Sequence, residues 1–166
     1  MANYVYNLIR CKDIKSLNTL STYIISSNEF NCNEIIPMSN DPKQVFKEIL
    51  EGGLLDYDQD TQRLFLEQYT VKNLWRKIYW GCTSFWRFHV DATKMEVQFT
   101  TDWTAPFGVI KALKEQGLDF DWYYIYEAYD KCYTAEFSLT ECVEMEVPIK
   151  DNRVKDFCDI WISQDN

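Results

Sequence analysis

Three carboxylates, one histidine and a scatter of cysteines are the side chains whose types and spacing bear on catalysis. Asp102 and Glu127 each end a strand-like run, and Asp130 follows close behind. Paired carboxylates perform acid and base work when burial separates their pKa values. A helix-cap role for Asp102 and a loop role for Asp130 compete with that reading and suit their positions better. His89 is the single histidine, so Cys82 with His89 is the one pair available for nucleophilic catalysis. The competing role for Cys82 is packing beside Gly81, and for His89 that of a partly buried strand residue. Neither CxxC nor HExxH spacing occurs, and cysteines at 11, 32, 82, 132, 142 and 158 are too scattered for a metal centre. Glycines 52, 53, 81, 108 and 117 have neither the spacing nor the lysine of a phosphate-binding loop. No metal, no cofactor and no nucleoside triphosphate chemistry are expected.

The densest group of polar and aromatic side chains is the stretch FTTDWTAPFGVIKAL, residues 99–113. Thr104 or Asp102 can accept hydrogen bonds from the first amides of the helix that begins here, and Pro106 suits a first turn because its missing donor is not needed. A ligand site at this corner would draw on Trp80, Thr101, Asp102, Trp103 and Glu127; a purely structural strand-to-helix corner is the alternative.

These residues must be held by flanking elements. Residues 3–11 alternate as a strand, and Asp13 caps a helix carrying Ile14, Leu17, Leu20, Ile24 and Ile25. Residues 30–38 read as a second strand stopped by Pro37. From about 40 to 79 the period is helical, interrupted at Gly52 and Gly53, with Phe65, Tyr69, Leu74, Trp75 and Ile78 facing inward. SFWRFHV and KMEVQFT bracket the turn DATK as a hairpin, a helix with Val109, Ile110 and Leu113 inside runs to the stop at Gly117, and DFDWYYIYE is a further strand. TAEFSL and CVEMEVP form another hairpin, and RVKDFCDIWI a last helix burying Val154, Phe157, Ile160 and Trp161. The expectation is an α+β protein: one ferredoxin-like domain over 1–166, a split βαβ antiparallel sheet with a helical insert at about 40–79 and a C-terminal extension at about 131–166, made of an extra β-hairpin and a C-terminal helix. Its helices cover one sheet face; the other is left to the insert, the extra hairpin or a partner.

A chain of 166 residues, 46% hydrophobic and 26% charged, suits one folded domain. No basic leader followed by an apolar run and no run of 18 apolar residues occurs, so a cytoplasmic protein without membrane contact is expected. Residues 1–114 carry 13 acidic and 13 basic side chains, residues 115–166 carry 13 and 4, so the whole net charge of −9 lies in the last third. Glu136, Glu141, Glu144 and Glu146 form its acidic interaction face. Such a surface repels phosphate backbones, so direct duplex binding is not expected; it can attract a basic partner, and the competing reading is a solvated face that keeps the protein soluble. Base stacking on DFDWYYIYE is disfavoured by Asp119, Asp121 and Glu127 around the rings. The basic residues Arg63, Lys72, Arg76, Lys77, Arg87 and Lys94 gather around the insert and first hairpin, where Lys72 and Arg76 read as a solvated helix face.

NYVYNLI, EIIPM, WGCTSFW, FTTDWTAPFGVIKAL and YEAYD, spread over residues 3–137, resemble the YubB-like, ferredoxin-like domain proteins of bacterial plasmids and phages. The resemblance rests on Trp80, Gly81 and Thr83, on Thr101, Trp103 and Pro106, and on Glu127; Tyr129 and Asp130 stand where the family has glycine. It implies the ferredoxin-like fold and a mobile-element origin, and carries no established activity. The leading expectation is a non-enzymatic accessory protein that binds a host protein with a basic surface, for instance as an inhibitor of a host defence or nucleic-acid-processing protein through a nucleic-acid-mimicking face. The alternative is a small-ligand or enzymatic site at the Trp80, Asp102, Glu127 corner.

Overall fold

The computed structural model describes residues 4–26, 29–127, 131–138 and 141–161. Its first strand, β1 (Tyr4–Cys11), leads into α1 (Ile14–Thr22), whose first turn is closed by Asp13 accepting from the Ser16 amide at 2.6 Å. The helix stops two residues before the expected Ile24. Ile24 and Ile25 are β-branched and favour extended backbone, so they open a small hairpin of β2 (Ile24–Ser26) and β3 (Glu29–Phe30).

The strand expected over 30–38 is likewise mostly absent, since β3 ends at Phe30 and α2 (Cys32–Ile35) follows. Asn31 starts that helical turn: its amide reaches back to the Tyr23 carbonyl at 2.7 Å, and its side chain donates to Glu34 at 2.5 Å. Local side-chain bonds of this kind outcompete a ladder. Cys32 and Ile35, three apart, point into the core.

The insert is helical throughout: α3 (Pro42–Glu51), a 3-10 turn (Leu54–Asp56), α4 (Gln59–Gln68) and α5 (Val71–Tyr79), with Asp41, Asp58 and Thr70 as side-chain caps. α3, the 3-10 turn and α5 are anchored through buried Val45, Ile49, Leu54, Leu74 and Trp75; no residue of α4 is buried. Then come β4 (Phe85–Asp91), β5 (Glu96–Asp102), α6 (Phe107–Glu115), β6 (Phe120–Tyr126), β7 (Cys132–Phe137), β8 (Cys142–Val147) and α7 (Lys155–Trp161).

The protein is thus mixed α+β, with a six-stranded antiparallel sheet ordered β4-β5-β1-β6-β7-β8 and seven α-helices among the described residues. The outer strands differ. β4 is broken by a register shift between Trp86 and His89, with Arg87 at φ 56°, whereas β8 pairs regularly with β7 over six positions.

Period-two alternation divides β1 between two cores. Val5, Ile9 and Cys11 join Val97, Phe99, Trp122 and Tyr124 beneath the helices α1, α3, α5 and α6. Leu8 points the other way, with Tyr123, Ile125, Cys132 and Val147, against Val154, Phe157 and Cys158. Each such fully buried aliphatic or aromatic side chain is worth about 1.5–3 kcal/mol. The second sheet face is therefore covered by the C-terminal segment rather than by the insert or the extra hairpin. Trp161 stacks on Tyr6 at 4.0 Å between ring centroids, while Ile160, expected inside, is exposed. At the centre, fully buried Asn7 ties three strands: its amide nitrogen donates to the Val5 carbonyl and to Thr101 Oγ1, and its oxygen accepts from Trp122 Nε1 at 3.2 Å.

Candidate functional site

The corner after β5 is built on the close approach of two helix ends. Gly81, at φ +90°, lets the chain leave α5, and a Cβ there would lie 2.7 Å from the Phe107 amide nitrogen. Trp80 is buried, its Nε1 donating to the Ile36 carbonyl at 3.2 Å, and its own carbonyl accepts from the Val109 amide at the start of α6. Thr104 donates through Oγ1 to the Gly81 carbonyl, and Thr101 through Oγ1 to the Thr104 carbonyl at 2.9 Å. Thr101 is fully buried.

Asp102 is a cap, but of a different turn from the one expected. Its carboxylate accepts from the Thr83 and Ser84 amides, each at 2.9 Å, and from the Thr83 hydroxyl, fixing the entry to β4. The α6 terminus has Pro106 as its cap residue, with no side-chain cap bond. Trp103 stands 54% exposed with φ +57°, a left-handed conformation unusual for a bulky residue. Glu127 Oε2 accepts from the Tyr4 amide at 2.9 Å while its own amide donates to the Tyr4 carbonyl.

Asp102 and Glu127 do reach the same end of the sheet, flanking Tyr4. β1 lies between them, so their backbones stand two strand spacings apart, about 10 Å. Each carboxylate is already engaged by amides. Asp130 and Tyr129 lie outside the described residues.

The Cys82 and His89 pair does not form. Cys82 is buried before β4, its thiol pushed up chiefly by burial, while His89 is exposed rather than partly buried and pairs with Gln98. Phe85 to His89 alone spans four residues of strand, about 13 Å. Among the described residues no group of three or more histidines, cysteines, aspartates or glutamates is placed to hold a metal, and no helix is long and apolar enough to cross a membrane.

Glu136, Glu141, Glu144 and Glu146 are all exposed on or beside the β7–β8 hairpin. The pleat splits them. Glu136 pairs opposite Val143 on the face that also carries Met145, whereas Glu144 and Glu146 point to the other face. Glu146 is matched by Lys131 at 2.7 Å, and Glu144 accepts from the Tyr124 hydroxyl, whose pKa is driven well up by burial first and by this bond second. Elsewhere in the last third, Glu115, Asp121, Asp151, Asp156 and Asp159 pair with Lys111, Lys12, Arg153, Lys94 and Lys155. The anionic excess is thus partly compensated. Among the described residues Glu136, Glu141 and Glu144 have no cationic partner.

Arg76 differs from the expectation of a solvated face shared with Lys72. In the structure it sits at the end of α5, its guanidinium carbon 4.7 Å from the Trp80 ring centroid, and forms part of the wall of a cavity of about 310 Å³ shared with Asn33, Ser84 and Trp86. No local pattern announces this cavity, because its walls come from β3, α2, α5 and β4. A larger cavity of about 450 Å³ lies between the insert and α6, lined by Tyr57, Phe65, Lys77 and Phe107 among others. Neither cavity includes Asp102, Trp103 or Glu127 in its lining.

No protein-family model, curated protein or solved structure matches this chain.

Proposed function

We propose that this chain is a non-enzymatic binding protein whose working surface is the acidic β7–β8 hairpin and whose partner is a protein with a basic surface. The single observation that carries the reading is the exposure of Glu136, Glu141 and Glu144 without cationic partners among the described residues, with exposed apolar Val143 and Met145 on the face that carries Glu136. Carboxylates steer a basic partner into encounter, and neighbouring apolar surface supplies contact area. The engagement of Asp102 and Glu127 by amides favours this over chemistry at the corner.

The order β4-β5-β1-β6, with helices linking β1 to β4 and β5 to β6, supports a ferredoxin-like reading of the four central strands, with β7, β8 and α7 as an extension. The YubB-like resemblance and its mobile-element origin belong to the same proposal. A bacterial host's cytoplasm is then the compartment, and a host defence or nucleic-acid-processing protein with a basic channel is the kind of partner an anionic hairpin would occupy.

The test is fluorescence anisotropy with a labelled lysine- and arginine-rich peptide, comparing wild type with the combined change of Glu136, Glu141, Glu144 and Glu146 to glutamine. Wild type binds and loses affinity as salt rises, and the variant binds at least about tenfold more weakly, a difference of about 1.4 kcal/mol. Equal binding by both, or binding indifferent to salt, refutes the proposal.

A further inference from the structure

Arginines in folded proteins are normally met by carboxylates or by several carbonyls, because their five N–H groups are costly to strand away from water. Here Arg10 bonds Glu96, Arg63 bonds Glu67 and Arg153 bonds Asp151. Arg87, exposed over the Tyr4 ring, has no carboxylate partner among the described residues. Arg76 likewise has no carboxylate partner among the described residues but, unlike Arg87, is half-buried. Its guanidinium makes one hydrogen bond, from Nη1 to the Thr83 carbonyl at 3.3 Å, and its Nε is shielded from solvent with nothing to donate to. Trp80 supports it from beneath by a cation–π contact, which positions the charge without neutralising it.

The surroundings complete a receptor for an anion. The cavity against Arg76 is lined by Asn33 and Ser84, whose side chains have no hydrogen-bond partner among the described residues, and by Phe30, Phe85 and Trp86; Phe30 packs on Phe85, whereas Trp86 packs edge-on against Tyr4 on the other sheet face. Its volume of about 310 Å³ equals that of about ten liquid waters, enough for a small organic molecule. Glu29, exposed and also in the lining, forms no ion pair with Arg76 among the described residues. Asp102 is not part of the lining and accepts from the Thr83 and Ser84 amides, which holds the turn, and with it the Thr83 carbonyl and Ser84, in place.

We infer that this cavity binds a small organic oxyanion, a carboxylate or a phosphate monoester on an apolar or aromatic body, with Arg76 as the anion-binding residue. The guanidinium takes two oxygens of the anion side by side, the Asn33 amide and the Ser84 hydroxyl donate to the remaining lone pairs, and Phe30 borders the body. This site is separate from the acidic hairpin and does not depend on it.

The experiment is titration calorimetry of the folded full chain with benzoate, phenyl phosphate, the neutral isostere benzamide, and inorganic phosphate alone. Two variants accompany it: Arg76→Gln, which removes the charge, and Asn33→Trp, which fills the mouth from an exposed position without touching Arg76. Benzoate or phenyl phosphate binds wild type, benzamide and inorganic phosphate bind at least about tenfold more weakly, and each variant loses at least about tenfold in affinity. The stronger of the two aromatic probes identifies the oxyanion as carboxylate or phosphate. Absence of binding by both, equal binding of benzamide or inorganic phosphate, or binding undiminished in Asn33→Trp overturns the proposal. Should Arg76→Gln fail to fold, the Asn33→Trp arm alone decides.

Discussion

Gly108→Ala tests the packing on which the corner depends. Gly108 lies in the first turn of α6, against the last turn of α5, and a Cβ at this position would overlap the Tyr79 carbonyl oxygen, lie 2.8 Å from the Tyr79 carbonyl carbon and 3.3 Å from that of Trp80. All three atoms are backbone, so no rotamer change relieves the clash. To reach an ordinary contact of 3.4 Å or more, α6 must retreat, and it cannot do so freely because Val109, Ile110 and Leu113 are buried in the main core. Overpacking costs typically about 1–3 kcal/mol, and a clash of backbone with backbone belongs at or above the top of that range. Alanine regains about 1 kcal/mol of helix propensity, which leaves a net loss of about 2–3 kcal/mol. At about 2–4 °C per kcal/mol for a chain of this size, the midpoint falls by about 4–12 °C. Urea unfolding followed by circular dichroism measures the loss, with Gly117→Ala as the comparison: that glycine, unlike helical Gly108, is left-handed, at φ +86°, and nothing lies within 4 Å of its missing Cβ. Its replacement costs only the conformational penalty of about 1–2 kcal/mol. If Gly108→Ala proves no more costly than Gly117→Ala, the two helix ends do not approach as described.

Three further outcomes are expected. Asp102→Ala strands the Thr83 and Ser84 amides and lowers stability by about 2–3 kcal/mol in urea unfolding; a change under about 0.5 kcal/mol would mean that the turn holds itself. Asp151 is held down to about 2 by hydrogen bonds from Arg153, against an ordinary value of 3.8, so its contribution is full above pH 4 and disappears as pH falls toward 2. Asp151→Asn therefore flattens the acid limb of the stability profile in that window, and an unchanged limb contradicts the assignment. Cys142 is the exposed cysteine, while Cys11, Cys32, Cys82, Cys132 and Cys158 are buried, the Cys11 thiol being pushed up to about 11 chiefly by burial. A disulfide reagent should modify one thiol of the native protein and all six after unfolding, and Cys142→Ser should abolish the native reaction; prompt modification of two or more would contradict this burial pattern.

What could be read in the sequence follows from how local its causes are. Asp13 and the alternation of Val5, Asn7 and Ile9 are decided within a turn or a pleat, and they stand as expected. Ile24 and Ile25 kept helical spacing with Leu17 and Leu20, yet their branched side chains and the end of α1 at Thr22 turned the chain into a hairpin. Residues 31–36 were lost to a helix by a bond between Asn31 and Glu34 that spacing alone did not reveal. Asp102 was recognised as a cap from its chemistry, but its partners are nearly twenty residues upstream, across the β4–β5 pairing. Arg76 was invisible for the same reason: what makes it unusual is which carboxylates are missing around it, a property of the folded surroundings.

The contrast between the two outermost strands limits how copies of this chain can meet. The break at Trp86–His89, with Arg87 turned to positive φ, spoils β4 as a template, whereas regular β8 presents an orderly row of backbone donors and acceptors. A molecule with a single usable margin can join one neighbour and then has nothing left to offer a third. Any association along the sheet would therefore terminate at closed pairs, without the unlimited head-to-tail growth that two good margins would permit.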